Sequence, residues 1–187
     1  MNQTKLIKIQ NRIMFSTKEH LLKKTGPDGV GRYEFLKELI TEYTTTRSLE
    51  AKKQTLANLA NFAYDPINYE YFKQLHVVDL FLAQLSESDE DLLHFGLAGI
   101  CNISPDPEFR DYIISLNGIC LISNLLNHQK EEIVLDAITS LYFLTEELNW
   151  KELINQTIIN EIKQYQEHDD SRLRNISNVC LKKWLAI

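Results

Sequence analysis

Shifted along itself by 41 residues, this chain lays its segment 56–93 on its segment 97–134 without a gap. Leu56, Ala57, Asn61, Asp65, Pro66, Tyr71, Leu75, Leu80, Leu85 and Glu90 meet identical residues at Leu97, Ala98, Asn102, Asp106, Pro107, Tyr112, Leu116, Leu121, Leu126 and Glu131. These are 10 identities in 38 positions. Further pairs exchange one apolar residue for another, as in Leu59/Ile100, Phe62/Ile103, Val78/Ile119 and Leu92/Ile133. A period near 40 with apolar residues at helical spacing is the signature of stacked helical repeats. Such a unit cannot bury its apolar face alone, so it stacks on its neighbours, and the stack exposes a long concave surface suited to holding a partner.

The punctuation between apolar runs places the helices. A Gly-Pro-Asp-Gly-Val-Gly cluster at 26–31 marks where the repeats start. Beyond it Phe35, Leu36, Leu39, Ile40 and Tyr43 recur at helical spacing. The next helix, with Ser48 as cap, carries Ala51, Leu56, Leu59, Ala60 and Phe62. It stops at Tyr64-Asp65-Pro66, because proline lacks a donor and disfavours helix in the residue before it. The second repeat predicts a short helix with Tyr69, Tyr71, Phe72 and Leu75, and another with Val78, Leu80, Phe81, Leu82 and Leu85. Its longer third helix, capped by Ser88, holds Leu92, Leu93, Leu97, Ile100 and Ile103 and ends before Pro105 and Pro107. The third repeat follows the same scheme around a turn at Asn117-Gly118, with a long helix through Ile133, Val134, Ala137, Ile138, Leu141 and Leu144. The fourth keeps the pattern in Leu173, Ile176, Cys180 and Trp184, capped by Asp170 or Ser171.

No segment alternates as a strand does. The expected fold class is therefore all-α, a right-handed superhelix (α-solenoid) of about four repeats at 30–66, 67–107, 108–149 and 150–187, the terminal two acting as caps. Residues 1–29 form a basic N-terminal tail expected to be flexible.

Composition narrows the function classes. With 44% hydrophobic and 25% charged residues the chain reads as globular, and no apolar run reaches the length a membrane span needs. Cys101, Cys120 and Cys180 are odd in number and far apart, which gives no disulfide framework and fits a reducing compartment. The sequons at Asn2, Asn102, Asn155 and Asn175 are expected to be unused, for want of a signal peptide. The net charge of −6 is unevenly spread: residues 1–25 carry +5 and the remainder −11. An acidic body does not suit direct binding to a phosphate backbone.

Candidate chemistry is sparse. Gly26 and Gly31 have phosphate-loop spacing, but Arg32-Tyr33 follow where that loop needs Lys and a hydroxyl residue. His94 and Cys101 lie seven residues apart on one helix, roughly 10 Å along the axis, too far to share a zinc ion. His20, His76, His128 and His168 stand isolated in or beside predicted loops. No catalytic site, metal site or cofactor is expected, and the chain is not expected to be an enzyme.

Asparagine supplies a more informative pattern. Leu59-x-Asn61-Phe62, Ile100-x-Asn102-Ile103 and Ile176-x-Asn178-Val179 place an amide at one apparent position of three repeats, with Phe143 in the third. Asparagine is a mediocre helix former, so propensity does not explain it. Its amide both donates and accepts, so a ladder of such residues can hold an extended main chain, or can instead bond between repeats. Tyr64, Tyr69 and Tyr71 cluster at one helix exit, where exposed tyrosines would serve as interface anchors and buried ones as packing beneath the loop. Tyr71, matched by Tyr112, is the one expected in the core.

The Leu-x-Asn pattern after Ala57 and Ala98 resembles the armadillo-repeat family, whose equivalent asparagines line the groove and clamp partner main chain. Its nuclear-import receptors carry Trp one turn before each Asn; here Ala57, Ala98 and Arg174 stand there, which disfavours that role. Val-Gly-Arg-Tyr-Glu-Phe-Leu at 30–36, the string from Leu56 to Tyr71, Val-Asp-Leu-Phe-Leu at 78–82 and Ser-Arg-Leu-Arg-Asn at 171–175 resemble one branch of the family over about residues 28–185. That resemblance implies a nuclear interaction protein, with a cytoplasmic pool also open. It would be a monomer within a hetero-complex, without membrane contact. It would brace an RNA-recognition-motif protein of the minor spliceosome and meet small nuclear RNA only indirectly, in pre-mRNA splicing. The partner-binding candidates are Asn61, Asn102, Asn178, Tyr64, Tyr69 and Arg174. The alternative is a general peptide-binding adaptor in adhesion, trafficking or ubiquitin transfer.

Overall fold

The computed structural model describes residues 15–17, 19, 23, 30–145 and 150–185. Among them there are helices and connecting turns and no strand. The chain divides into two compact units, one ending at Val77 and one beginning at Val78. Most of the tail expected at 1–29 lies outside the described residues.

The first unit contains α1 (Arg32–Thr45), α2 (Leu49–Ala63), a 3-10 turn (Pro66–Asn68) and α3 (Tyr69–Gln74). Ser48 caps α2 as the sequence predicts, its side chain accepting from the Ala51 amide. Helix α1 packs on α2. Leu36 and Tyr43 are buried on α1, and Leu56, Leu59, Ala60 and Ala63 form the i, i+3, i+4, i+7 stripe of α2. Thr55 is buried beside that stripe and satisfies its hydroxyl on Ala51 O at 2.7 Å.

The expectation that Tyr71 enters the core is corrected. Tyr71 is half-buried with its ring edge-on to Tyr33 at 6.0 Å, while its neighbour Phe72 is fully buried. Its counterpart Tyr112 is exposed, and Phe109 and Ile113 fill the core instead. A helix this short has one inward face, and in both repeats the face is set one residue away from the tyrosine.

Helix α4 (Val77–Gln84) begins at the boundary. The second unit continues with α5 (Glu90–Ile103), α6 (Pro107–Ser115), α7 (Gly118–Ser123), α8 (Glu131–Leu144), α9 (Trp150–Leu153), α10 (Gln156–Lys163) and α11 (Ser171–Leu185). The cap of α5 is Asp89, not Ser88: its carboxylate accepts from the Asp91 and Leu92 amides. Helix α8 packs against α5 and against α11. Neighbours on two sides explain its broad buried stripe of Ile133, Val134, Ala137, Ile138, Ser140, Leu141 and Leu144.

Two backbone features position these helices. His76 (φ 52°) and Asn117 (φ 60°) are left-handed, 41 residues apart, each turning the chain between two short helices. At Gly99 an added Cβ would lie 2.5 Å from the Phe81 ring, so the missing side chain lets α5 settle on α4.

Candidate functional site

The last helices of the successive repeats, α2, α5, α8 and α11, define one register. Counted from the first helical residue, Asn61, Asn102, Phe143 and Lys183 fall at the same place. Asn178 does not; it lies five residues earlier on its helix. The three-rung amide register expected from the sequence is therefore corrected to two asparagines, an aromatic and a lysine. The buried set Leu173, Ser177, Leu181 and Trp184 fixes the rotation of α11 and leaves Asn178 exposed.

In the first unit Asn61 is exposed near the end of α2. The following Phe62 ring carries the Arg32 guanidinium at 4.7 Å and meets Phe35 edge-on at 5.7 Å. Tyr64 is 49% exposed and Tyr69 is half-buried. Asp65 caps the turn through Ile67 N at 3.2 Å. Asn68, buried beneath, donates to Phe62 O at 2.8 Å and ties the turn back to α2.

In the second unit Asn102 is half-buried near the end of α5. On α8, Tyr142 and Phe143 are half-buried with rings edge-on at 5.5 Å. Lys183 reaches from α11 to Tyr142 O at 3.1 Å and lies over the Tyr142 ring at 4.5 Å. Asn178 is engaged within the chain: it accepts from Gln166 Nε2 at 3.0 Å and donates to Arg174 O at 2.9 Å. Arg174 itself donates to His168 O and Asp169 O, bracing the loop before α11.

The starts of the long helices hold a charged row that the sequence reading missed. His128 and His168, read as isolated, each sit three residues before a long helix, and each accepts through Nδ1 from the amide two residues on. Their Nε2 atoms face the first residue of the preceding long helix, His128 at 4.0 Å from Glu90 and His168 at 3.8 Å from Glu131. Lys130 Nζ lies 2.9 Å from Glu90, and the pairing raises the ammonium's pKa. Arg172 grips Glu132 with two bonds, at 3.0 and 2.7 Å, and also holds Asp170, whose carboxyl is lowered to about 2. The 40-residue spacing of the two histidines was the available signal.

Between α5 and α8, His94 Nε2 lies 3.5 Å from Asp136 Oδ2, and this contact raises the imidazole's pKa against the opposing effect of burial. Burial pushes the Cys101 thiol up to about 12, which keeps it protonated at neutral pH and a poor nucleophile. Among the described residues no three metal-binding side chains cluster, and no helix is long and apolar enough to cross a membrane.

Repeated long helices in one register, with short helices turning between them, define an armadillo-repeat fold. Solved structures agree. A computationally designed armadillo repeat protein for modular peptide recognition matches 81% of this chain and 69% of its own at TM-score 0.69 and 17% identity. A designed armadillo repeat protein in complex with the peptide (KR)4 matches 82% of this chain and 70% of its own at TM-score 0.63 and 14% identity. No protein-family model matches. Among curated proteins, armadillo repeat-containing protein 7 of Mus musculus is 40% identical over 159 residues, covering 84% of this chain and 80% of that protein. The chain belongs to the family of armadillo repeat-containing protein 7.

Proposed function

We propose that this chain is a non-catalytic scaffold that binds and stabilises an RNA-recognition-motif protein in the minor spliceosome, acting in the nucleus in splicing of minor-class introns. The observation that carries the reading is the 40% identity across most of both chains to the mouse relative, taken with what the resemblance of residues 28–185 implies. The charge distribution supports a protein rather than a nucleic acid as the direct partner, since the body beyond residue 25 carries −11. Small nuclear RNA is then held by the partner.

The contact residues proposed are Asn61, Asn102, Tyr64 and Tyr69, with Asn178 and Arg174 contributing from the last long helix. Asn61 and Asn102 lead, because each stands at the same place in its repeat and carries an amide that can both donate to and accept from a partner's main chain. Asn178 and Arg174 already hold intrachain partners, so their contribution is to shape. Isothermal titration of the copurified RNA-recognition-motif protein against the Asn61→Ala, Asn102→Ala double variant tests the assignment. Loss of two such amides is expected to weaken binding by about 1–3 kcal/mol. A folded double variant that binds at full strength would falsify the groove assignment.

A further inference from the structure

We propose that the corner made by Tyr64 and Asp65 is a docking site for a chain segment that presents an aromatic ring followed by a free backbone amide, and that this chain fills it with its own Phe15 and Ser16. The Phe15 ring lies 5.7 Å from the Tyr64 ring at 44°, within the range of favourable aromatic pairs. The Ser16 amide donates to Asp65 Oδ2 at 3.0 Å, a hydrogen bond strengthened by the carboxylate charge. Both residues are half-buried by these contacts although they stand 49 positions from their partners in sequence.

The equivalent corner one period later isolates what is special here. Asp106 follows Pro105, which has no aromatic ring to offer, and its Oδ1 accepts from the Glu108 and Phe109 amides of its own helix. Asp65 divides its oxygens: Oδ1 caps the turn through Ile67, and Oδ2 takes Ser16. A tyrosine in place of proline and a second carboxylate oxygen turned outward convert a helix-capping corner into a receptor for chain. One charged hydrogen bond and one ring contact are of the same order as the entropy lost in fixing a few residues, so the dock is reversible. A partner that engages Tyr64 then competes with the tail. That consequence rests on the proposed function, but the docking does not.

The test uses the full-length, isotope-labelled chain and amide exchange at Ser16. The wild type is expected to exchange there roughly tenfold more slowly than a free peptide, as one charged hydrogen bond provides. Phe15→Ala, which leaves the turn intact, and Asp65→Asn, which keeps the Ile67 cap but turns an amide toward Ser16, should each return the rate to the free-peptide value. A synthetic peptide copying residues 11–20 should then shift the Tyr64, Asp65 and Ile67 amides of the Phe15→Ala chain, and the same peptide with alanine for Phe15 should not. Free-peptide exchange in the wild type, protection that survives both substitutions, or a peptide that shifts none of the three amides overturns the proposal. The readout is Ser16 itself, so failure here leaves the spliceosomal reading standing, and failure of that reading leaves the docking standing.

Discussion

Trp184 donates its indole N–H to Thr145 Oγ1 at 3.1 Å, and both side chains are completely buried. Thr145 Oγ1 in turn donates a hydrogen bond to Leu141 O at 2.8 Å, so the end of α8 and the end of α11 are joined through one hydroxyl. Trp184→Phe keeps an aromatic ring but strips the donor and leaves a small void. Equilibrium denaturation should show a loss of about 1–3 kcal/mol. An unchanged midpoint would mean that the last helix does not depend on this contact.

The His94–Asp136 contact makes stability depend on pH. The folded-state pKa of His94 is raised above its ordinary 6.5, with the Asp136 hydrogen bond as the main cause and the nearby Asp136 and Glu132 charges adding to it, against burial and Lys130. Its contribution is therefore fully present below pH 6.5 and is lost as pH rises through the folded value. Melting curves of wild type and His94→Gln should differ most near pH 6 and converge in the alkaline range. A gap that widens with rising pH contradicts the assignment.

His76 occupies a left-handed backbone position where an ordinary side chain is strained. The matching position one period later carries Asn117, a residue that tolerates this conformation. His76→Asn should stabilise the fold by about 0.5–1 kcal/mol, read as a higher denaturation midpoint. His76→Val should do the opposite.

Gly99 touches the Phe81 ring so closely that a methyl group has no room. Gly99→Ala is expected to cost about 1–3 kcal/mol by forcing α5 away from α4, despite alanine's better helix propensity. A gain in stability would show that Phe81 rotates freely.

The repeat architecture was legible because it rests on local signals. The 41-residue period, the prolines at 66, 105 and 107 and the Ser48 cap all act within a few residues of where they stand. The cap of α5 was misplaced by one because Ser88 and Asp89 are both good caps, and only the geometry shows which side chain reaches the amides. The register of α11 was misread for a physical reason. Ser177 is buried with its hydroxyl bonded to Leu173 O at 2.7 Å, so a polar residue sits where the pattern expects an apolar one. The Ile176-Ser-Asn178 string then mimicked the earlier repeats. Links such as Arg172 to Glu132 and His168 to Glu131 join residues about one period apart, and they become visible only when the repeats are stacked.

Affinity purification of the tagged full-length chain from cells, with proteomics and RNA sequencing before and after nuclease treatment, tests the central claim most directly. The account predicts an RNA-recognition-motif protein that stays bound after nuclease, and a minor-class small nuclear RNA that disappears when that partner is depleted. Recovery of adhesion, trafficking or ubiquitin-transfer proteins, with no splicing component and no small nuclear RNA, would contradict it.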